Sequence, residues 1–391
     1  MRSTNSISRR YFTYLVIFLC GYTAIIYFTF EHAAIHCGDT IKASKNNFVI
    51  AQKSKWQEIH SLLEQEAPNV QDTDIKGIHD HTPSIIDPSN HLKGVVVLGM
   101  HRSGTSLLTG LLTKTGLDVG PSQFLIQPSF DNKLGFFERV DLVLQDDWLM
   151  RNQNIDYAHK TSMYDAKQGL KDALDAMFAK DAPSQKFFKE GTRTLAFLNS
   201  FKAKGLNTPW MLKDPRLCIT LKTWLPLLPS LPAIIFSHRH PLSVAESLHV
   251  REHFPLGHGL KMWISYNRAA IRNMDGLCVV KTSNKQLMKE GKKEMDRVVE
   301  MLGTKCGVSV PHLIDQKDVD AFIDPSLQHG STQNDQEDEC SNVDLKESQR
   351  QKLQTPQVQA IYDEAIRFYC AIEDGSAFKE DFQFPTITDN A

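Results

Sequence analysis

Residues 94–106 read GVVVLGMHRSGTS, and this stretch is the strongest indication of the fold in the sequence. Residues 95–98 are apolar throughout, which is typical of a strand buried on both faces of a sheet. The spacing from Gly99 to Gly104 then matches the P-loop pattern G-x-x-x-x-G-K-[ST], whose backbone N–H groups hold a phosphate at a helix start. A helix over residues 107–114 follows. The stretch therefore predicts a strand, a phosphate-binding loop and a helix.

The loop departs from the P-loop pattern at one position, because Thr105 stands where the lysine belongs. That lysine reaches the β- and γ-phosphates of a triphosphate. The backbone cradle works whatever the side chains are, and Arg102 supplies a charge inside the loop. The loop thus predicts a nucleotide with one 5′-phosphate and no γ-phosphate. A chance glycine-rich turn is the alternative.

Short apolar runs recur along the chain after the loop. They occupy residues 210–212, 233–236 and 277–280, and helical patterns separate them. Strands that alternate with helices favour an α/β fold with a mainly parallel sheet. A last helix is predicted over residues 356–368.

A second polar motif follows the run at 233–236, where residues 236–247 read FSHRHPLSVAES. Pro241 suits the first position of a helix. Ser243 and Ser247 then share one helix face, and Arg239 lies just before it. An arginine with a hydroxyl on the next helix suits a second, separate phosphate. Taken alone, the motif also fits an Arg-Pro turn with a surface serine.

A third motif, MLKDPRLC at residues 211–218, again ends a predicted strand. Lys213, Asp214 and Arg216 surround a proline turn. Open α/β folds bind ligands at the carboxyl edge of the sheet, so we expect this turn to join the site. A solvated turn of ion pairs is the alternative, with Asp214 paired to Lys213 or Arg216.

Together these motifs resemble the sulfotransferase superfamily. The resemblance spans about residues 94–302 and implies a P-loop-like three-layer sandwich with a central, mainly parallel sheet. It also implies that PAPS is the co-substrate, a nucleotide with a 3′-phosphate and a 5′-phosphosulfate, and that no metal is needed. Arg102, Ser103, Gly104, Thr105 and Ser106 resemble the family's 5′-phosphosulfate loop. Arg239, Pro241 and Ser247 resemble its 3′-phosphate motif.

The resemblance also implies catalytic roles. Residues 135–138, GFFE, together with the turn at 213–216 resemble a broad group of sulfotransferases, and tyrosylprotein sulfotransferases share a nearby glutamate. By that likeness Glu138 is the general base, while Arg102 and Lys213 stabilise charge on the transferring sulfuryl group. His101 and then Asp214 are the next candidates for the base.

The sequence departs from the family pattern at two places, and it leaves two rival functions as alternatives. His240 replaces an aspartate that is common after the arginine, and residues 281–287 lack the expected acidic segment. A P-loop kinase predicts a loop lysine, which is absent. A non-catalytic, membrane-anchored binding protein predicts loss of the motif residues, which are present. Four aromatic residues suit an acceptor pocket or the core: Phe136, Phe137, Trp148 and Trp263.

Residues 11–30 carry no charge, and twenty residues suffice for a helix to cross a hydrocarbon core of about 30 Å. Arg2, Arg9 and Arg10 precede them, so the positive-inside bias places residues 1–10 in the cytosol. We expect an uncleaved signal-anchor, a stem over 31–92, a sulfotransferase domain over 93–375 and a tail over 376–391. We therefore expect a single-pass type II membrane protein with its catalytic domain in the Golgi lumen.

The composition of the chain limits the classes of partner that we expect it to bind. The 391 residues are 41% hydrophobic and 23% charged, and 44 basic residues against 46 acidic ones give a net charge of -2. The sequence lacks the surplus of basic residues that is typical of nucleic-acid-binding proteins. The expected partners are an acceptor substrate and a membrane. One of the seven cysteines, Cys20, lies in the predicted anchor. The other six include no CxxC pair, which disfavours a zinc site. They allow fifteen full disulfide pairings. Residues 329–351 are polar and predicted to be disordered.

Overall fold

The computed structural model describes residues 94–129, 132–178, 209–228, 230–323, 340, 353 and 355–387. All of them belong to one of the two compact units into which the chain divides, residues 72–391. The predicted tail 1–10, anchor 11–30 and stem 31–92 lie outside these described residues, as does the segment 329–351 apart from Cys340. No helix within the described ranges is long and apolar enough to cross a bilayer.

The described residues form four strands and a series of helices. The strands are β1 (Val95–Leu98), β2 (Met211–Lys213), β3 (Ala233–His238) and β4 (Val279–Ser283). The α-helices are α1 (Thr105–Lys114), α2 (Val140–Asn152), α3 (Ala166–Phe178), α4 (Leu217–Trp224), α5 (Pro241–Glu252), α6 (Leu256–Asn273), α7 (Asn284–Thr304, kinked at Glu290), α8 (Gln316–Phe322) and α9 (Pro356–Asp374).

The strands form one parallel sheet in the order β2-β1-β3-β4. Leu98 of β1 pairs with Phe236 of β3, and His238 at the end of β3 pairs with Ser283 at the end of β4. Because all strands are parallel, their carboxyl ends meet at one edge. The predicted parallel α/β fold is confirmed.

Helices cover both faces of the sheet, so the described part of the chain is a three-layer sandwich. On one face, Val96, Leu98 and Phe236 pack against helices α2 to α6 and α9. On the other face, Val95 and Val97 pack against α1, α7 and α8. Burial on both faces explains why the strands are apolar rather than alternating.

The order of the strands creates a crevice at the carboxyl edge. After β1 the chain enters α1 on one face of the sheet, whereas after the neighbouring β3 it enters α5 on the opposite face. Strands whose connections leave in opposite directions define the switch point at which open α/β folds bind ligands. The loops after β1 and β3 carry two of the three motifs that the sequence predicts to form the site.

Three predicted strands have wrong bounds: β2 is displaced by one residue, to Met211–Lys213, and buried polar residues extend β3 and β4 beyond their predicted ends. β3 continues beyond Phe236 because Ser237 donates a hydrogen bond to the carbonyl of Ser103 at 3.1 Å. β4 begins at Val279 and runs to Ser283, since Thr282 is buried by a bond to Glu294 at 2.6 Å. An apolar run ends before such residues, although tertiary hydrogen bonds let them stay in the sheet.

Two disulfides join distant elements, a pairing that the sequence left open. Cys278, just before β4, bonds Cys306, which follows α7. Cys340 bonds Cys370 of α9. Among the described cysteines, Cys218 is a buried free thiol.

Candidate active site

A cleft of about 210 Å³ opens at the carboxyl edge, beside the loop after β1. Its walls carry four cations, Arg102, Lys213, Arg239 and Arg251, but a single carboxylate, Glu138. The remaining lining residues are His101, Gly104, Thr105, Ser106, Leu107, Asn132, Phe136 and Pro215. The surplus of positive charge suits an anionic ligand.

The loop after β1 has the tight turn that the sequence predicts. Arg102 and Gly104 both adopt positive φ, 68° and 80°, and α1 begins at Thr105. A Cβ on Gly104 would lie only 2.3 Å from Nδ2 of Asn284. The conformation of Gly104 therefore favours glycine, and a larger residue would displace the Asn284 side chain.

The loop and the motif after β3 meet directly. Nε of Arg102 donates a hydrogen bond to Oγ of Ser247 at 2.8 Å. Nη1 of Arg239 reaches the carbonyl of Arg102 at 3.4 Å, and Trp263 donates from Nε1 to the carbonyl of Arg239 at 2.9 Å. The structure thus brings both predicted phosphate-binding motifs into one cluster.

Lys213 and Glu138, which both line the cleft, form a buried ion pair. The Lys213 side chain is 2% exposed and its Nζ contacts Oε1 of Glu138. The same ammonium donates to Oγ of Ser106 and to the carbonyl of Phe136, both at 3.1 Å. One cation therefore links the predicted base, the loop and the segment before α2.

Behind this pair lies a buried network centred on Arg216. Its guanidinium bonds Asp214 at 3.0 Å and Asp147 at 2.6 Å. Burial alone would lower the pKa of Arg216, but these carboxylates hold it well above its usual value. Burial raises the pKa of Asp214. Asp214 faces this network and is not among the described residues that line the cleft, which makes it a poor base.

His101 is a neutral imidazole in the floor of the cleft. Burial lowers its pKa well below the usual value, and the charges of Arg216 and Arg251 lower it further. Its ring meets Tyr157 and Tyr266 edge-on, at 5.3 and 5.6 Å between centroids. Nε2 is buried and has no hydrogen-bond partner among the described residues.

Two polar residues that line the cleft, Arg251 and Asn132, were not predicted from the sequence. Arg251 lies one helical turn beyond Ser247 on α5, so extending the spacing from Ser243 and Ser247 by another four residues points to it. Its guanidinium carbon is 5.9 Å from the centre of the Phe136 ring, and Phe136 lines the cleft. No comparable pattern marks Asn132, which comes from an irregular loop.

Three of the four candidate pocket aromatics pack elsewhere. Phe137 faces Phe322 of α8 at 6.3 Å, Trp148 packs against the core on the α2 side, and Trp263 is fully buried. For metals, no group of three or more candidate ligands comes together within the part of the chain that the structure describes.

Comparison with known proteins gives similar structures but no family. No family model matches the chain, and no curated protein matches it. The sulfotransferase domain from the Synechococcus PCC 7002 olefin synthase is 16% identical, with a TM-score of 0.36, over 75% of this chain and 98% of that domain. The sulfotransferase domain from the curacin biosynthetic pathway is 14% identical, with a TM-score of 0.37, over 76% and 100%.

Proposed function

We propose that this chain is a sulfotransferase that moves a sulfuryl group from PAPS to a hydroxyl or amine of an acceptor. One observation carries the proposal: the hydrogen bond from Arg102 to Ser247 joins a phosphate loop to a second anion clamp across 145 residues. A cleft with two separate anion-binding groups suits a nucleotide that is charged at both its 3′ and its 5′ positions.

The residues around the cleft fit such a donor. Arg102 and the loop residues Ser103, Gly104, Thr105 and Ser106 would hold the 5′-phosphosulfate through backbone N–H groups and hydroxyls. Thr105 occupies the loop position at which triphosphate-binding proteins have a lysine. The loop therefore lacks the side chain that a triphosphate needs.

Arg239 and Ser247 would hold the 3′-phosphate, because an arginine and a nearby hydroxyl provide charge-assisted hydrogen bonds to its oxygens. Ser247 already lies within a hydrogen bond of Arg102. The two phosphate sites would therefore share a wall of the cleft.

The donor supplies a sulfuryl group whose bond to the 5′-phosphate oxygen breaks as a bond to the acceptor oxygen or nitrogen forms. Arg102 and Lys213 would neutralise the charge that develops on the sulfuryl and phosphate oxygens, a preorganised electrostatic effect. Glu138 would take the acceptor's proton, and its ion pair with Lys213 holds the carboxylate in place. His101, neutral and facing the same cleft, is the second candidate base.

We also propose that the enzyme is a type II membrane protein with its catalytic domain in the Golgi lumen. The uncharged stretch at residues 11–30 and the arginines before it support an anchor of that orientation. The two disulfides support an oxidising compartment. Glycans, secreted proteins and small metabolites are the candidate acceptors.

The proposal is tested by incubating the full-length protein in detergent with [³⁵S]PAPS and a panel of phenols, tyrosine peptides and glycans. We expect a labelled product together with an equal amount of PAP. Arg239→Ala should abolish both, whereas Arg272→Ala, a matched change of an exposed arginine on α6, should not.

The opposite outcome is label transfer from [γ-³²P]ATP with magnesium and none from PAPS. That result would identify the loop as a divergent phosphotransferase site and overturn the proposal.

A further inference from the structure

The motif His238-Arg239-His240 contains two histidines that the proposed reaction does not use. Both are buried, at 0% and 3% exposure, and they flank the arginine assigned to the 3′-phosphate. His238 occupies the last position of β3 and pairs with Ser283 of β4. The contacts of these histidines therefore fix the backbone from which Arg239 extends.

Both histidines are held by the C-terminal helix α9. Nε2 of His238 lies 2.9 Å from Oε1 of Glu373, and Tyr369 also hydrogen-bonds this carboxylate. The ring of His240 meets Tyr369 edge-on at 5.4 Å and faces Tyr362 at 6.3 Å. A single helix thus touches the residues on either side of Arg239.

The end of α9 is in turn fastened to the sheet beside β3. Nζ of Lys281 on β4 donates to the carbonyls of Ile372 and Glu373, at 2.7 and 2.6 Å. A cation at a helix C-terminus satisfies the last carbonyls and complements the helix dipole. The position of Glu373 is therefore set by β4, the strand that neighbours β3.

Charge strengthens the contact between Glu373 and His238. Burial acts to raise the pKa of Glu373, but the hydrogen bond and charge of His238, with the bond from Tyr369, outweigh it and lower the pKa to about 2. Glu373 is therefore an ionised acceptor at neutral pH. Nδ1 of His238 is buried without a partner among the described residues, so the ring has one hydrogen bond that orients it.

We propose that Glu373, acting through His238, is a positioning residue for Arg239, so that the C-terminal helix is a working part of the 3′-phosphate site. The inference rests on the proposed use of PAPS. None of the described residues that line the cleft belongs to α9, so the effect passes through the backbone of β3 and not through contact with the nucleotide.

The test compares PAP with 5′-AMP, which lacks the 3′-phosphate, by calorimetry on the full-length protein. Glu373→Ala should weaken PAP binding about tenfold, since a lost hydrogen bond to a charged group corresponds to roughly that ratio. Binding of 5′-AMP should stay within about twofold, because Arg239 is assigned to the 3′-phosphate and contacts the 5′ loop through a long bond of 3.4 Å to the carbonyl of Arg102. A merely structural defect would weaken both ligands together.

Two further variants separate positioning from a folding defect. Glu373→Gln keeps the acceptor oxygen and should restore most of the PAP affinity. Glu364→Ala, at an exposed ion pair with Arg367 on the same helix, should change neither ligand. If Glu373→Ala fails to fold, His238→Asn provides the same comparison from the other partner.

Equal losses for PAP and 5′-AMP, or unchanged PAP binding in both Glu373→Ala and His238→Asn, would overturn the inference. A wild-type protein that binds no PAP would instead overturn the proposed function. The two failures are therefore distinguishable.

Discussion

Among single residues, Gly104 is a position where the loop tolerates little change. Its φ is 80°, and an added Cβ would overlap the Asn284 side chain at 2.3 Å. Gly276 has a similar φ of 76° but nothing within 4 Å of an added Cβ. The two glycines therefore separate backbone strain from steric overlap in the loop.

We expect Gly104→Ala to weaken PAP binding, because a left-handed alanine strains the loop and its Cβ displaces the side chain of Asn284. Gly276→Ala should cost only the strain of a left-handed alanine, about 1–2 kcal/mol, and should leave PAP binding unchanged. Calorimetry and thermal unfolding measure both effects. Wild-type PAP affinity in Gly104→Ala would show that the loop does not hold the nucleotide.

The choice between Glu138 and His101 as the base also belongs at this scale. Glu138→Gln keeps a hydrogen-bond acceptor for the buried Lys213 but cannot take a proton. We expect kcat to fall about 10²–10⁴-fold, the usual contribution of a general base, with little change in PAP affinity. His101→Gln should have a smaller effect on kcat, measured with the best acceptor of the panel. If the two variants exchanged these effects, His101 would be the base.

At the scale of elements, the contact between α5 and α6 supports the cleft. α5 carries Ser247 and Arg251, and α6 supplies Trp263, which holds the carbonyl of Arg239. The two helices approach closely at Gly259, where an added Cβ would lie 2.9 Å from the Cα of Ala245. Backbone atoms have no rotamer with which to yield, so this contact depends on the absence of a side chain.

Gly259→Ala should lower the free energy of unfolding by about 1–3 kcal/mol, the usual cost of overpacking. Gly303→Ala in α7 is the matched control, since nothing lies within 4 Å of its added Cβ. In that open helical position alanine should raise stability by up to about 1 kcal/mol. Denaturant unfolding of the two variants measures the difference. A stabilised Gly259→Ala would mean that α5 and α6 are further apart than described.

Elements were predictable from the sequence where apolar runs are uninterrupted, and less so where polar residues are buried. β1 has the predicted bounds because residues 95–98 are all apolar. The ends of β3 and β4 are polar residues bonded to distant partners, Ser103 and Glu294, and local pattern contains no information about those partners. The same holds for the pairing of Glu138 with Lys213, which are 75 residues apart.

At the scale of the whole molecule, the two disulfides tie the sheet and the C-terminal helix to distant parts of the chain. The bond from Cys278 to Cys306 spans 28 residues and the bond from Cys340 to Cys370 spans 30. Closing loops of this length restricts the unfolded chain. Both bonds also require an environment that keeps thiols oxidised.

Replacing Cys278 and Cys306 together by serine should lower the free energy of unfolding by about 3–4 kcal/mol, from the loop-closure entropy of a 28-residue separation. Denaturant unfolding under oxidising conditions measures the change, and peptide mapping without reductant identifies the bonded pairs. A wild-type protein in which these thiols react freely with a labelling reagent would contradict the pairing.

A calorimetric titration of the full-length protein with PAP and, separately, with ATP and magnesium distinguishes the proposed sulfotransferase from a P-loop kinase. We expect that PAP binds without magnesium, that ATP binds more weakly, and that Arg239→Ala removes PAP binding while Arg272→Ala does not. Preferential binding of ATP with magnesium, together with an Arg239→Ala variant that binds as well as the wild type, would show that the cleft is not a PAPS site.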